Sequence, residues 1–285
     1  MALVEARRLS NPLLRSKIIN YVVNRQNEAG GYTFCQGAES NAQDTYYGLA
    51  ILSMLNSRFP NAEKTASFIR ETHLTSIYSV YHVAEASLLL GLAITYDLKE
   101  QVASIIDSNQ FFGSTETYSE ISSEFTTTYM ALKMADLLEI SLEADRAAGW
   151  LLGFTNKDGG FGTRGQSNIN STYYAVASLS LLKRSLRNPS ETVRFLTSCE
   201  KPYGGFTVTP INYSPYMEHT YYGVMTLGLL GEKCSYPRQT ADWILTCQNR
   251  NGGFARGDPG ISSFVDTYYA VTLLQKLTGF QEANL

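Results

Sequence analysis

Glu218 and His219 stand side by side just before a Thr-Tyr-Tyr triplet, in the stretch "YMEHTYYGVMTL" from Tyr216 to Leu227. A carboxyl group next to an imidazole is equipment for proton transfer or for holding a metal ion. Two sister peptides, "NINSTYYAVASL" from Asn168 and "FVDTYYAVTLL" from Phe264, keep the triplet and lack the pair. A second concentration of acids lies in "IIDSNQFFGSTETYSEISSEF", where Asp107, Glu116, Glu120 and Glu124 surround Asn109 and Phe112. Asp107 would serve there as a proton donor. Asn109 would not, since an amide supplies no proton; it is either an ordinary turn residue, like Asn27, Asn156 and Asn249, or a replacement for an acid.

These residues are positioned by repeats. Four segments share a glycine turn followed by Thr-Tyr-Tyr, as in "NKDGGFGTRGQSNINSTYYAVASL" and "NRNGGFARGDPGISSFVDTYYAVTLL", and two more are degenerate. The equivalent positions are Thr45, Val80, Thr128, Thr172, Thr220 and Thr267, so neighbours are 35 (Thr45 to Val80) to 48 (Val80 to Thr128) residues apart. A fixed period of this size signals stacked helical units. Apolar residues recur at helical spacing both before the glycines and after the Thr, so each unit predicts two helices. The glycines stop the first helix. The second starts at Asp44, Ser79, Thr127, Ser171, His219 or Asp266, and five of these six are residue types that cap a helix N-terminus.

Twelve helices in six pairs would form either an open solenoid or a closed ring. A solenoid requires atypical polar repeats at its ends, and the last unit here is among the most regular. The expected architecture is therefore all-α, an α6/α6 barrel of six inner and six outer helices, with repeats over about 13–280 in one domain of 1–285. All inner helices would run the same way and bring their N-termini to one mouth. Backbone N–H groups and helix dipoles at that mouth would favour an anionic head group, with Arg164, Arg250 and Arg256 in the loops as added charge. An inner helix of about 14 residues is roughly 21 Å long, enough for an extended chain of about 15 to 20 carbons. The Tyr-Tyr pairs are expected mainly to pack helices together, with Tyr173, Tyr221, Tyr268 and Phe112 offered as faces to a ligand.

Composition excludes other classes. A net charge of −3, from 23 basic and 26 acidic residues, provides no basic face for nucleic acid. No apolar run approaches a membrane span and the N-terminus lacks a secretory core, so a cytoplasmic protein without stable membrane insertion is expected. Cys35, Cys199, Cys234 and Cys247 form no CxxC pair and read as reduced thiols. No obligatory protein partner and no cofactor are expected.

The pattern of "QNRNGGF" followed, about a dozen residues later, by "DTYYAV" resembles the family of protein prenyltransferase β subunits and of the toroidal domains of squalene-hopene and other class II terpene cyclases. The resemblance runs from about Leu13 to Phe280 and implies a central apolar cavity that holds an isoprenoid. It also implies two activities to weigh. Zinc prenyltransferases carry Asp-x-Cys in one repeat and "HTCY" in the next; His219 matches the latter, whereas Ser171 and Tyr173 stand where Asp and Cys belong, so no metal site is expected. Class II cyclases carry Asp-x-Asp-Asp at the same helix entry with the middle Asp as general acid. Only Glu218 puts a carboxyl group at that position, where burial would keep it protonated.

The resemblance thus points to a single-domain class II cyclase acting by protonation on a linear prenyl substrate, with an aromatic or other polar head group and with Glu218, His219, Asp107 and Asn109 as catalytic candidates. The alternatives are a zinc-independent prenyltransferase-like enzyme and a non-catalytic isoprenoid-binding barrel.

Overall fold

A computed structural model describes residues 11–93, 99–100, 103–104 and 124–278. Among these residues the regular structure is helical. The outer helices are α1 (Pro12–Val23), α3 (Ala62–Glu71), α6 (Ala144–Leu152), α8 (Pro189–Cys199) and α10 (Pro237–Thr246). They alternate along the chain with the inner helices α2 (Ala42–Met54), α4 (Ile77–Leu89), α5 (Glu124–Leu137), α7 (Ile169–Leu181), α9 (Met217–Leu229) and α11 (Phe264–Thr278). Of the segment before α5, where the sixth outer helix is expected, only residues 99–100 and 103–104 are described, and these are helical. Each inner helix packs on the next, and α11 packs on α2, so the six close into a ring. Phe264 of α11 seals the join, with its ring 5.5 Å from that of Tyr21 and 6.2 Å from that of Tyr32.

The repeated residues explain the repeated turn. The Thr of Thr-Tyr-Tyr is fully buried at positions 45, 172, 220 and 267. Its hydroxyl accepts the backbone N–H of the aromatic residue after the glycines, Tyr32, Phe161, Phe206 or Phe254, at 3.0 Å in every case. It donates to the backbone carbonyl four residues back, Asn41, Asn168, Tyr216 or Ser263. The threonine therefore ties the loop to the first turn of the inner helix, satisfying backbone groups that burial would otherwise strand. An isolated bridge, such as Thr155 with Phe161, holds the turn's two ends together.

Glycine is required where the turn meets the next outer helix. Gly159 has φ +84°, and a Cβ there would lie 2.3 Å from the Glu191 carbonyl carbon of α8. In the last repeat Gly252, with φ +95°, meets Lys17 of α1 in the same way, which makes the ring closure a repeat contact like the others.

The helix caps differ from the expectation. Asn41, Ser76 and Asn168 are the N-caps of α2, α4 and α7, and their side chains accept the N–H of Asp44, Ser79 and Ser171. Ser263 does the same for Asp266. The expected capping positions are thus three residues inside the helix, where an N-cap oxygen reaches their N–H groups. Among the inner helices whose N-terminal flank is described, α9 differs: its N-cap is Tyr216, which makes no side-chain cap.

Candidate active site: a tyrosine-walled cavity on the ring axis

The residue after the Thr position is tyrosine in all six repeats: Tyr46, Tyr81, Tyr129, Tyr173, Tyr221 and Tyr268. One from each inner helix, they form a girdle around the axis. Tyr129, Tyr173, Tyr221, Tyr268, Tyr46 and Tyr81 follow one another with ring centroids 6.2, 5.9, 6.1, 6.2 and 6.2 Å apart. The second residues of the pairs add another layer, in which Tyr222 stacks on Tyr173 at 4.8 Å and Tyr269 on Tyr221 at 4.3 Å. The Tyr222 hydroxyl lies 3.0 Å from that of Tyr174 and 3.3 Å from that of Tyr269. Burial pushes the phenols of Tyr173, Tyr221, Tyr222 and Tyr269 above the usual tyrosine range, so these four are neutral at physiological pH.

Beyond the tyrosines lies a cavity of about 340 Å³, at the lower end of the usual range for small-molecule sites. Its remaining wall comes from later turns of the inner helices, including Lys133, Ala177, Leu181, Met225 and Leu229. Between Tyr221 and Leu229 the helix rises only ~12 Å. The cavity is therefore shorter than the full inner helix anticipated from sequence, and the tyrosines form one end of it. Tyr173, Tyr221 and Tyr268 are among its lining residues.

Lys133 of α5 carries charge on this wall. Its Nζ is 2.6 Å from Glu85 Oε1 of α4, 3.3 Å from the Tyr81 hydroxyl and 5.2 Å from the Tyr81 ring centroid. Burial works against the ammonium, but Tyr129 and Glu85 outweigh it and raise the Lys133 pKa above the usual lysine value. Sequence patterning holds a signal for this pair. At the same place, four residues after the girdle tyrosine, the other repeats have Ala50, Ala177, Met225 and Thr272.

Glu218 and His219 sit at the opposite end, in the first turn of α9. The expectation that burial keeps Glu218 protonated is overturned. Burial does push its pKa up, but the His219 hydrogen bond and the Arg256 guanidinium outweigh it, so the carboxyl lies below its ordinary value and is ionised at neutral pH. Glu218 Oε1 is 2.5 Å from Arg256 Nη2 and 3.1 Å from His219 Nε2. The Arg256 guanidinium in turn lies over the Tyr216 ring at 4.3 Å. His219 is buried, with Nδ1 unpartnered among the described residues.

Asp266 behaves in the opposite way. Burial is the chief cause that raises its pKa to about 6, the Glu218 charge adds to it, and the Ser263 hydroxyl donates to its Oδ2 at 2.5 Å. Asp266 is thus tied to its helix cap.

The other sequence candidates fall elsewhere. Arg164 is an exposed residue with φ +54° in a short 3₁₀ turn, Thr163–Gly165, and does not line the cavity. At the N-terminal mouth, side-chain caps take one first-turn N–H group in each of four inner helices. Asp107, Asn109 and Phe112 lie outside the described residues. Ser171 and Tyr173 are part of the helix and girdle, and among the described residues no three His, Cys, Asp or Glu side chains gather as metal ligands. The cysteines are free thiols.

The prenyltransferase alpha-alpha toroid domain matches residues 1–79, 63–215 and 211–284. The chain belongs to that family. No curated protein sequence matches it. Solved structures similar to this toroid include Candida albicans protein geranylgeranyltransferase-I complexed with GGPP, at 17% identity and TM-score 0.74, covering 94% of this chain and 92% of that one. Another is the type II terpene cyclase MstE from Scytonema, at 14% identity and TM-score 0.66, covering 96% and 99%. A variant of MstE holding the substrate geranylgeranyl dihydroxybenzoate gives 14% and 0.67, covering 98% and 100%. At these identities the likeness establishes the shared fold. Among the described residues no helix is long and apolar enough to cross a membrane.

Proposed function

We propose that this toroid is a class II terpene cyclase that folds a linear prenyl chain into its axial cavity and cyclises it after protonation, without a cofactor or an obligatory partner protein. The observation that carries the reading is the convergence of ten tyrosines, two of them from degenerate repeats, on one axial cavity. Neutral aromatic faces stabilise a passing carbocation by roughly 0.5 to 2 kcal/mol each and offer it no strong nucleophile. The similar MstE acts on a geranylgeranyl chain joined to a dihydroxybenzoate, and a prenylated aromatic is the substrate type proposed here.

The proton donor in this reading is Asp107, with Asn109 beside it in sequence. Glu218, ionised and paired with Arg256, organises the N-terminal mouth together with His219. Incubation with prenylated hydroxybenzoates tests the proposal through mass and NMR analysis. The expected result is a cyclic product of unchanged mass, lost in Asp107→Asn and kept in Glu218→Gln. A parent protein that binds these compounds and returns them unchanged is a non-catalytic isoprenoid-binding barrel; one that transfers the prenyl group to an acceptor is a transferase.

A further inference from the structure

Lys133 on the cavity wall, with Glu85 paired to it, plays no part in the reaction described so far. Lys133 and Glu85 come from neighbouring inner helices at a position that four other repeats fill with Ala50, Ala177, Met225 and Thr272. An ion pair inside a largely aromatic and aliphatic wall costs desolvation, which its mutual attraction rarely exceeds. Local rules broken in this way mark places where function intrudes. Both residues belong to the two degenerate repeats, whose departures from the pattern thus meet at one spot.

The hydrogen-bonding inventory shows what the spot would accept. An ammonium has three donors; Lys133 directs Nζ at Glu85 and at the Tyr81 hydroxyl, and among the described residues no third acceptor faces it. Because Tyr81 accepts from Lys133, its own O–H is left to donate. Two donors on the cavity wall, one of them cationic, match the two oxygens of a carboxylate. Glu85 offsets the lysine charge, so a singly charged group is favoured over a diphosphate. Met225, Leu181 and Leu229 supply aliphatic wall for the chain.

We infer that Lys133 and Tyr81 form a head-group site for an isoprenoid carboxylate, with Glu85 as the counter-ion that sets the preference for a single negative charge. This rests on the isoprenoid cavity of the proposed function and specifies the substrate class that it takes.

Farnesoic acid and farnesol, which share a chain and differ in head group, separate the two claims in calorimetric titrations. The parent is expected to bind the acid roughly 10-fold more tightly than the alcohol, the scale of a hydrogen bond to a charged group. Glu85→Gln should widen that preference by removing a like charge. Lys133→Met alone would strand Glu85, so the double variant Lys133→Met/Glu85→Gln serves as the balanced deletion and should bring the ratio close to one while still binding farnesol. Equal affinities in the parent, or a preference that survives in the double variant, would overturn the inference and leave the isoprenoid cavity standing. Failure of the parent to bind either compound would sink both.

Discussion

Replacing Thr220 by valine removes one hydroxyl from the interior and leaves its shape intact. That hydroxyl accepts the Phe206 N–H at 3.0 Å and donates to the Tyr216 carbonyl at 2.9 Å, with the threonine fully buried. The valine variant strands the Phe206 N–H in a site that water does not reach, and a stranded buried donor costs about 1–3 kcal/mol. For a chain of this size that corresponds to a fall in Tm of roughly 2–5 °C. Thr220→Ser, which keeps the oxygen, should recover most of the loss. Urea denaturation followed by circular dichroism at several temperatures measures both variants. A valine variant within about 0.5 kcal/mol of the parent would refute the reading that the Thr-Tyr-Tyr threonine is the tie between loop and inner helix.

Other expectations follow from the same geometry. Gly223→Ala should destabilise by about 1–3 kcal/mol through overpacking, since its Cβ would meet the Phe206 ring at 2.4 Å; Gly48→Ala, which meets Tyr32 at 3.2 Å, should be close to neutral, and equal effects in denaturation would contradict the contact. Asp266, with a folded pKa raised to about 6, contributes stability that is present below about pH 4 and lost as pH rises through 6. Stability curves of the parent and Asp266→Asn should therefore diverge in the variant's favour between pH 4 and 7, by on the order of 1–3 kcal/mol; a pH-independent difference would count against it. Ala177→Phe, placed in the cavity wall, should abolish farnesol binding while the protein stays folded, and retained binding would move the ligand elsewhere.

The ring was legible in the sequence because its period is written in residues that backbone geometry demands. Gly159 and Gly252 need positive φ and a missing Cβ, and Thr172 and Thr267 need a hydroxyl, so both types recur visibly. Tyr173, Tyr221 and Tyr268 recur visibly too, one residue after that threonine position. What spacing alone did not reveal depends on partners distant in the chain. The charge state of Glu218 is set by Arg256, 38 residues away, and by a hydrogen bond from His219 in the same helical turn. Burial considered without those partners predicts the opposite protonation. The succession of six rings around the axis was hidden as well, since repetition of a Tyr pair does not say that the rings will meet. Lys133 and Glu85 carry no motif, and their signal emerges only when girdle positions are aligned and the next helical turn is compared across repeats.

The account's central claim is that the tyrosine-walled cavity cyclises a prenyl chain. Its most direct test is the product formed when the protein is incubated with a geranylgeranylated or farnesylated hydroxybenzoate and the mixture is resolved by liquid chromatography, mass spectrometry and NMR. The predicted result is an isomer of unchanged mass with fewer double bonds and at least one new ring, absent from the Asp107→Asn reaction. Quantitative recovery of the linear substrate from a protein shown to bind it would contradict the claim.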